Sequence, residues 1–239
     1  MENETVPFRT HAVKPLQCYS RGWLLIKDQY WLFLLINLVG MFIGSAVPLG
    51  ILMGPMMCGI YFCLFTKADG KAVSFDLLFK GFSYFVESLL ATLMMIVPML
   101  ILVIPLFIAF IVYLSLAAHA VASRNSPGPL FASMIGGEFL MVAVLILFSS
   151  IIGLFFVFAY PLIVDRGLKA WPAVKMSFRG AWHNLGGMIV LILLNLLLGF
   201  AGMLFCYVGV FFVGPVLIAA LFSAYRQVFG ESKGLEAPA

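Results

Sequence analysis

The sequence predicts an all-α protein, a polytopic bundle of transmembrane helices, and three observations predict it. Hydrophobic residues make up 64% of the 239 and charged residues only 10%, against about 45–50% and about 25% in soluble domains. The long apolar runs, such as residues 32–39, 94–110 and 188–198, do not alternate with polar positions, so they are helices and not the strands of a membrane barrel. A piece of the chain also occurs twice, at about residues 12–66 and 170–226. A soluble fold of this size could not hide so much apolar surface, whereas lipid accepts elements that satisfy their own backbone.

The elements follow in order. Residues 12–20 are a mixed polar and apolar lead-in that ends at Arg21-Gly22. Residues 30–47 and 49–65 make two spans joined at Pro48, too close for anything but a hairpin. Residues 74–82 read as a surface-lying helix with Phe75, Leu78, Phe79 and Phe82 on one face. Two longer apolar stretches, about 83–122 and 130–162, flank the breaker-rich Arg124-Asn125-Ser126-Pro127-Gly128-Pro129. Each is either one long helix or itself a hairpin, and Pro98 and Pro105 would kink the first of them. Residues 170–178 repeat the amphipathic lead-in before Arg179-Gly180, and residues 188–205 with 208–225 form the last hairpin.

Charge narrows the topology. With single middle spans and a cytoplasmic N-terminus, every lysine and arginine except Arg124 lies inside, a strong positive-inside bias. That gives six spans in a single transmembrane domain over residues 1–239, with short cytoplasmic tails at 1–11 and 228–239. Eight spans, with both middle stretches as hairpins, satisfy the same bias and stand as the alternative. Six is favoured because residues 130–162 are short for two crossings and carry Glu138 and Ser149-Ser150. The first apolar run starts near Trp31 with no small-residue cleavage site behind it, so the first span is expected to persist in the mature protein.

Aligning Arg21-Gly22 with Arg179-Gly180 brings Asn37-Leu38 onto Asn195-Leu196 and Gly44 onto Gly202. After a two-residue offset, Gly54-Pro55 falls on Gly214-Pro215. Both copies start on the same side of the membrane, so they are parallel repeats. Arg21 and Arg179 are candidate head-group contacts, their adjacent glycines bending the chain into the span. Trp23, Tyr30, Trp31, Trp171 and Trp182 suit the water–lipid boundary. Each Gly-Pro frees a carbonyl one turn back, which makes a kink, a hinge or a polar site.

A resemblance rests on Gly54-Pro55 with Gly59, on Leu77-Leu78-Phe79-Lys80-Gly81-Phe82, and on Tyr160-Pro161-Leu162-Ile163-Val164-Asp165-Arg166-Gly167. To these it adds residues 173–177 and the Asn195 helix. The pattern resembles a broad group of bacterial integral-membrane proteins related to the membrane domain of some glycerophosphodiester phosphodiesterases. It covers most of the chain except about residues 106–144. The resemblance implies a bacterial inner-membrane location and a fold, and brings no activity with it.

Ionisable and amide groups inside spans are the default functional candidates. Asn37 and Asn195 sit mid-span in the first helix of each repeat. They are expected either to hydrogen-bond between helices, to each other across the pseudo-axis, or to line a polar cavity. Glu87 is expected to pair with a cation such as Lys80 or Lys175, or to serve as a proton or cation site. Glu138, His119 and His183 read as interfacial groups. Cys18, Cys58, Cys63 and Cys206 lack metal-ligand spacing and read as small buried hydrophobes. No catalytic residue, cofactor or metal site is predicted. The net charge of +4 points to no nucleic-acid partner. The expected partners are the bilayer and either other membrane proteins or a second copy of the chain. The function expected is a non-enzymatic scaffold, assembly factor or complex subunit, the alternative a transporter or lipid-handling protein.

Overall fold

The computed structural model describes residues 7–47, 50–122, 128–204 and 208–231, with backbone alone at 120–122 and 128–134. The helices are α1 (Pro15–Ile26), α2 (Tyr30–Ala46), α3 (Met53–Ala68), α4 (Phe85–Ala122), α5 (Gly128–Phe156), α6 (Ala159–Arg166), α7 (Ala170–Trp182), α8 (Leu185–Leu204) and α9 (Val208–Phe229). Two 3-10 helices, Lys27–Gln29 and Phe75–Tyr84, join them. No strand occurs among the described residues. Pro48, Arg124, Ser126, Cys206 and the outer parts of both tails lie outside them.

Met1–Leu93 together with Leu154–Ala239 forms one compact unit, and Met94–Gly153 forms another. In the latter, Gly137 of α5 packs on the Tyr113 ring of α4, and its other apolar side chains are largely exposed.

Among the described residues, five helical stretches are long and apolar enough to cross a membrane: Pro15–Ala46, Phe75–His119, Ile135–Arg166, Leu185–Leu204 and Val208–Phe229. Their outer faces carry exposed Trp31, Phe42, Ile101, Leu197 and Leu204. Apolar surface on that scale is what a bilayer requires and water penalises. In α8 only Met188, Leu191 and Gly202 are buried.

The expected second span is different. In place of residues 49–65 the structure has α3, which starts at Met53 because Gly50 takes a left-handed φ of +63° and opens a turn. At 16 residues it is about 24 Å long, shorter than the other apolar helices. Twelve of those residues are buried. A helix apolar on every side belongs inside, and α3 packs among α2, α6 and the Phe75–Tyr84 segment.

The middle stretches do not double back. α4 runs unbroken for 38 residues through Pro98 and Pro105, about 57 Å, and α5 runs for 29. The hairpins of the eight-span alternative are absent. A break at residues 157–158 separates α5 from α6, and Ser177 of α7 mends it: its hydroxyl donates to Phe155 O (2.7 Å) and accepts from Phe158 N (3.0 Å). Backbone groups freed within a membrane protein need such partners.

Three local expectations are corrected. Arg21-Gly22 and Arg179-Gly180 lie within α1 and α7, and the chain turns later, at Lys27–Gln29 and at His183-Asn184. Gly22 is needed for proximity, since a Cβ there would stand 2.8 Å from the Ala219 carbonyl carbon of α9. The surface helix at 74–82 is a 3-10 helix, whose three-residue turn stacks positions i and i+3. Leu78 and Gly81 therefore face α3 together, while Phe79 and Phe82 point outward. Gly54-Pro55 lies in the first turn of α3, where proline removes no helical hydrogen bond, so of the two Gly-Pro pairs that of Pro215 alone stands inside a helix.

Candidate functional site

The intramembrane polar residues go to separate places. Glu87, on the first turn of α4, accepts a hydrogen bond from Ala170 N (2.7 Å) through Oε2. Ala170 opens α7, whose own N-cap residue, Lys169, offers no side-chain cap. A carboxylate there meets both the free N–H groups and the positive end of the helix dipole. The cation partner expected of Glu87 is replaced by this backbone cap. Asn195 accepts from the Tyr19 hydroxyl of α1. Asn37 is 2% exposed, packs its amide against Gly214 of α9 and leaves Oδ1 without a partner. The hydrogen bond expected between the two asparagines does not form, because α1 and α9 supply other neighbours.

Several buried polar groups carry order that the sequence reading missed. Asn184 accepts from Ala12 N and donates to Arg9 O and Gly180 O, at 2.7–2.9 Å. Asparagine just before α8 was the available signal, since this residue type favours helix starts. Asp165 pairs with Arg166 at 3.0 Å and accepts from the Tyr225 hydroxyl at 2.5 Å. Arg166 Nη2 in turn donates to Phe229 O and Glu231 O. This ties α6 to the end of α9 and occupies carbonyls that the helix leaves free. Thr92 and Tyr160 share a 3.0 Å hydrogen bond between α4 and α6. The motif around Tyr160-Pro161 and Asp165-Arg166 is thus a packing and anchoring element.

At the junction of α1 with the C-terminal turns of α9 lies a cavity of about 750 Å³. Four cations line it: Arg9, Lys14, Arg21 and Arg226. None of them joins an ion pair among the described residues, where the pairs are Lys67–Asp28 and Asp165–Arg166. The acid on the lining is Glu231. Ser223 and Gln227 add polar groups, and Leu25 and Phe222 an apolar side. Arg226 lies over the Phe222 ring at 5.8 Å. Beside the cavity the N-terminal segment is tied to α9 by hydrogen bonds from Arg9 N to Val228 O (2.8 Å) and from Lys14 N to Gln227 Oε1 (2.8 Å), and Gly22 packs on the α9 backbone.

The chain matches no family model, no curated protein and no solved structure. Its function is therefore argued from its own geometry.

Of the two predicted head-group arginines, Arg21 lines this cavity and Arg179 does not. A second cavity, about 460 Å³, is lined by Glu87 with Tyr84 and Leu168, and neither asparagine reaches either cavity. His183 and His119 each hold a carbonyl one turn back through Nδ1, at 2.8 Å. Glu138 is exposed on α5. Trp23, Trp31, Trp171 and Trp182 are all exposed. Cys18, Cys58 and Cys63 are buried free thiols. No group of His, Cys, Asp and Glu that could hold a metal ion occurs among the described residues.

Proposed function

We propose that this chain is a six-span bacterial inner-membrane protein that works by binding, as a scaffold, assembly factor or complex subunit. The observation that carries the reading is where the intramembrane polar groups point. Glu87 caps a helix, Asn195 holds a tyrosine, and Asn37 is closed in by Gly214. A transporter of the repeat type brings such groups to one water-filled site near the midplane, and here they are dispersed among helix contacts. The spans are α2, α3, α4, α5 with α6, α8 and α9, both termini being cytoplasmic by the positive-inside bias.

Two regularities favour the duplicated parallel hairpin. Gly54-Pro55 and Gly214-Pro215 are each followed, 16 residues after the glycine, by Gly70 and Gly230 with φ of +73° and +81°. Gly22 of α1 docks on Ala219 of α9, and Gly81 of the 3-10 segment docks on Gly59 of α3. Ala219 and Gly59 are equivalent positions when the two Gly-Pro pairs are aligned.

Two measurements test the reading. Asn37→Cys and Asn195→Cys should resist membrane-impermeant thiol reagents from both sides, and modification of both would favour a transport pathway. Purification from native membrane in mild detergent should bring a stoichiometric protein partner. A chain that emerges alone and monodisperse would count against the scaffold role.

A further inference from the structure

We infer that the basic cavity between α1 and α9 is a binding site for a phosphate-bearing group. The inference rests on the membrane reading and not on the scaffold role, so either can fail without the other. Charge is the first argument. Arg9, Lys14, Arg21 and Arg226 converge on one space lined by one carboxylate, Glu231, and among the described residues none of them joins an ion pair. Like charges gathered without counterions repel one another, which an anion in their midst converts into attraction. Three of the four are arginines, whose planar forks match phosphate oxygens in pairs.

The second argument is unsatisfied polarity. Ser223, 7% exposed, brings a hydroxyl to the lining. Gln227 spends its oxygen on Lys14 N while its Nε2 is buried without a partner. A buried donor such as Gln227 Nε2 is normally paired, and a phosphate oxygen is an acceptor of the kind it lacks. The first turn of α1, flanked by Lys14 and Gln17 on the lining, has no side-chain cap and leaves donors and a positive dipole end nearby. The opposing field at the end of α9 is reduced, because Arg166 already holds Phe229 O and Glu231 O.

A phosphate could arrive on a lipid or in solution. The lining includes Leu25 and Phe222, and exposed Leu16, Trp23 and Leu24 of α1 offer acyl chains an adjoining surface. Basic pockets between membrane helices take anionic head groups by this combination.

Detergent-solubilised protein is titrated, with native mass spectrometry as the readout, against phosphatidylglycerol, phosphatidylcholine and, separately, pyrophosphate. Wild type should hold phosphatidylglycerol well above phosphatidylcholine, and Arg21→Gln and Arg226→Gln should each weaken it roughly tenfold. Arg179→Gln, an exposed arginine off the cavity, should bind as wild type. Pyrophosphate bound tightly without lipid preference, and lost in the same two variants, would support the phosphate site with a soluble ligand. Equal retention of both lipids and no binding of pyrophosphate would overturn the inference. So would anion binding indifferent to Arg21 and Arg226. Unfolding midpoints near wild type in both variants separate loss of the site from loss of the fold.

Discussion

Glu87 shows how one side chain can look like a functional acid and act as a structural one. Its Oε2 takes the first free N–H of α7, a cap worth about 1 kcal/mol when removed from a helix start. Glu87→Ala is expected to lose about that much stability in thermal unfolding in detergent, whereas Glu87→Gln keeps an acceptor oxygen and should lose less. Equal losses would mean that charge at the dipole end matters more than the hydrogen bond. Asn37 makes the complementary case. It is enclosed, with Oδ1 unpaired and no cation on its amide, so Asn37→Asp would bury a bare charge. The expected loss is about 3 kcal/mol. An Asn37→Asp variant as stable as wild type would show that the position is hydrated.

Helix contacts in this protein are made where side chains are missing. Gly22 admits the α9 backbone and Gly81 admits that of α3, each at a distance a methyl group would occupy. Lipid tails are as apolar as leucine, so helices associate in membranes through close packing. Gly22→Ala and Gly81→Ala should each cost about 1–3 kcal/mol, the usual price of overpacking. Gly199 has open space around its Cβ position, and Gly199→Ala in the middle of α8 should be neutral or stabilise by up to about 1 kcal/mol. Unfolding midpoints of the three variants decide the point. Equal effects at all three would remove close approach as the explanation.

For the molecule as a whole, the strongest expectation is topological. Cysteines placed at Lys71 and Lys175 should react with an impermeant reagent only from the cytoplasmic side, and one at Ser126 only from the opposite side. Labelling of Ser126→Cys from the cytoplasm would contradict the six-span arrangement. The lysine and arginine bias suits six spans and eight alike, and the continuous course of α4 and α5 is what separates the two expectations.

Helical class, membrane character and the approximate limits of α2, α8 and α9 were legible in the sequence, because composition and run length respond to the solvent around each segment and not to its neighbours. The destinations of Asn37, Asn195 and Glu87 were not, nor the depth at which α3 is sheathed. Those depend on which helix lies opposite, and hydropathy treats a leucine against lipid and a leucine against protein alike. The grouping of Arg9, Lys14, Arg21 and Arg226 was decided by tertiary structure alone. Some two hundred residues separate the first three from the last, and only the packing of α1 on α9 brings their charges into one space.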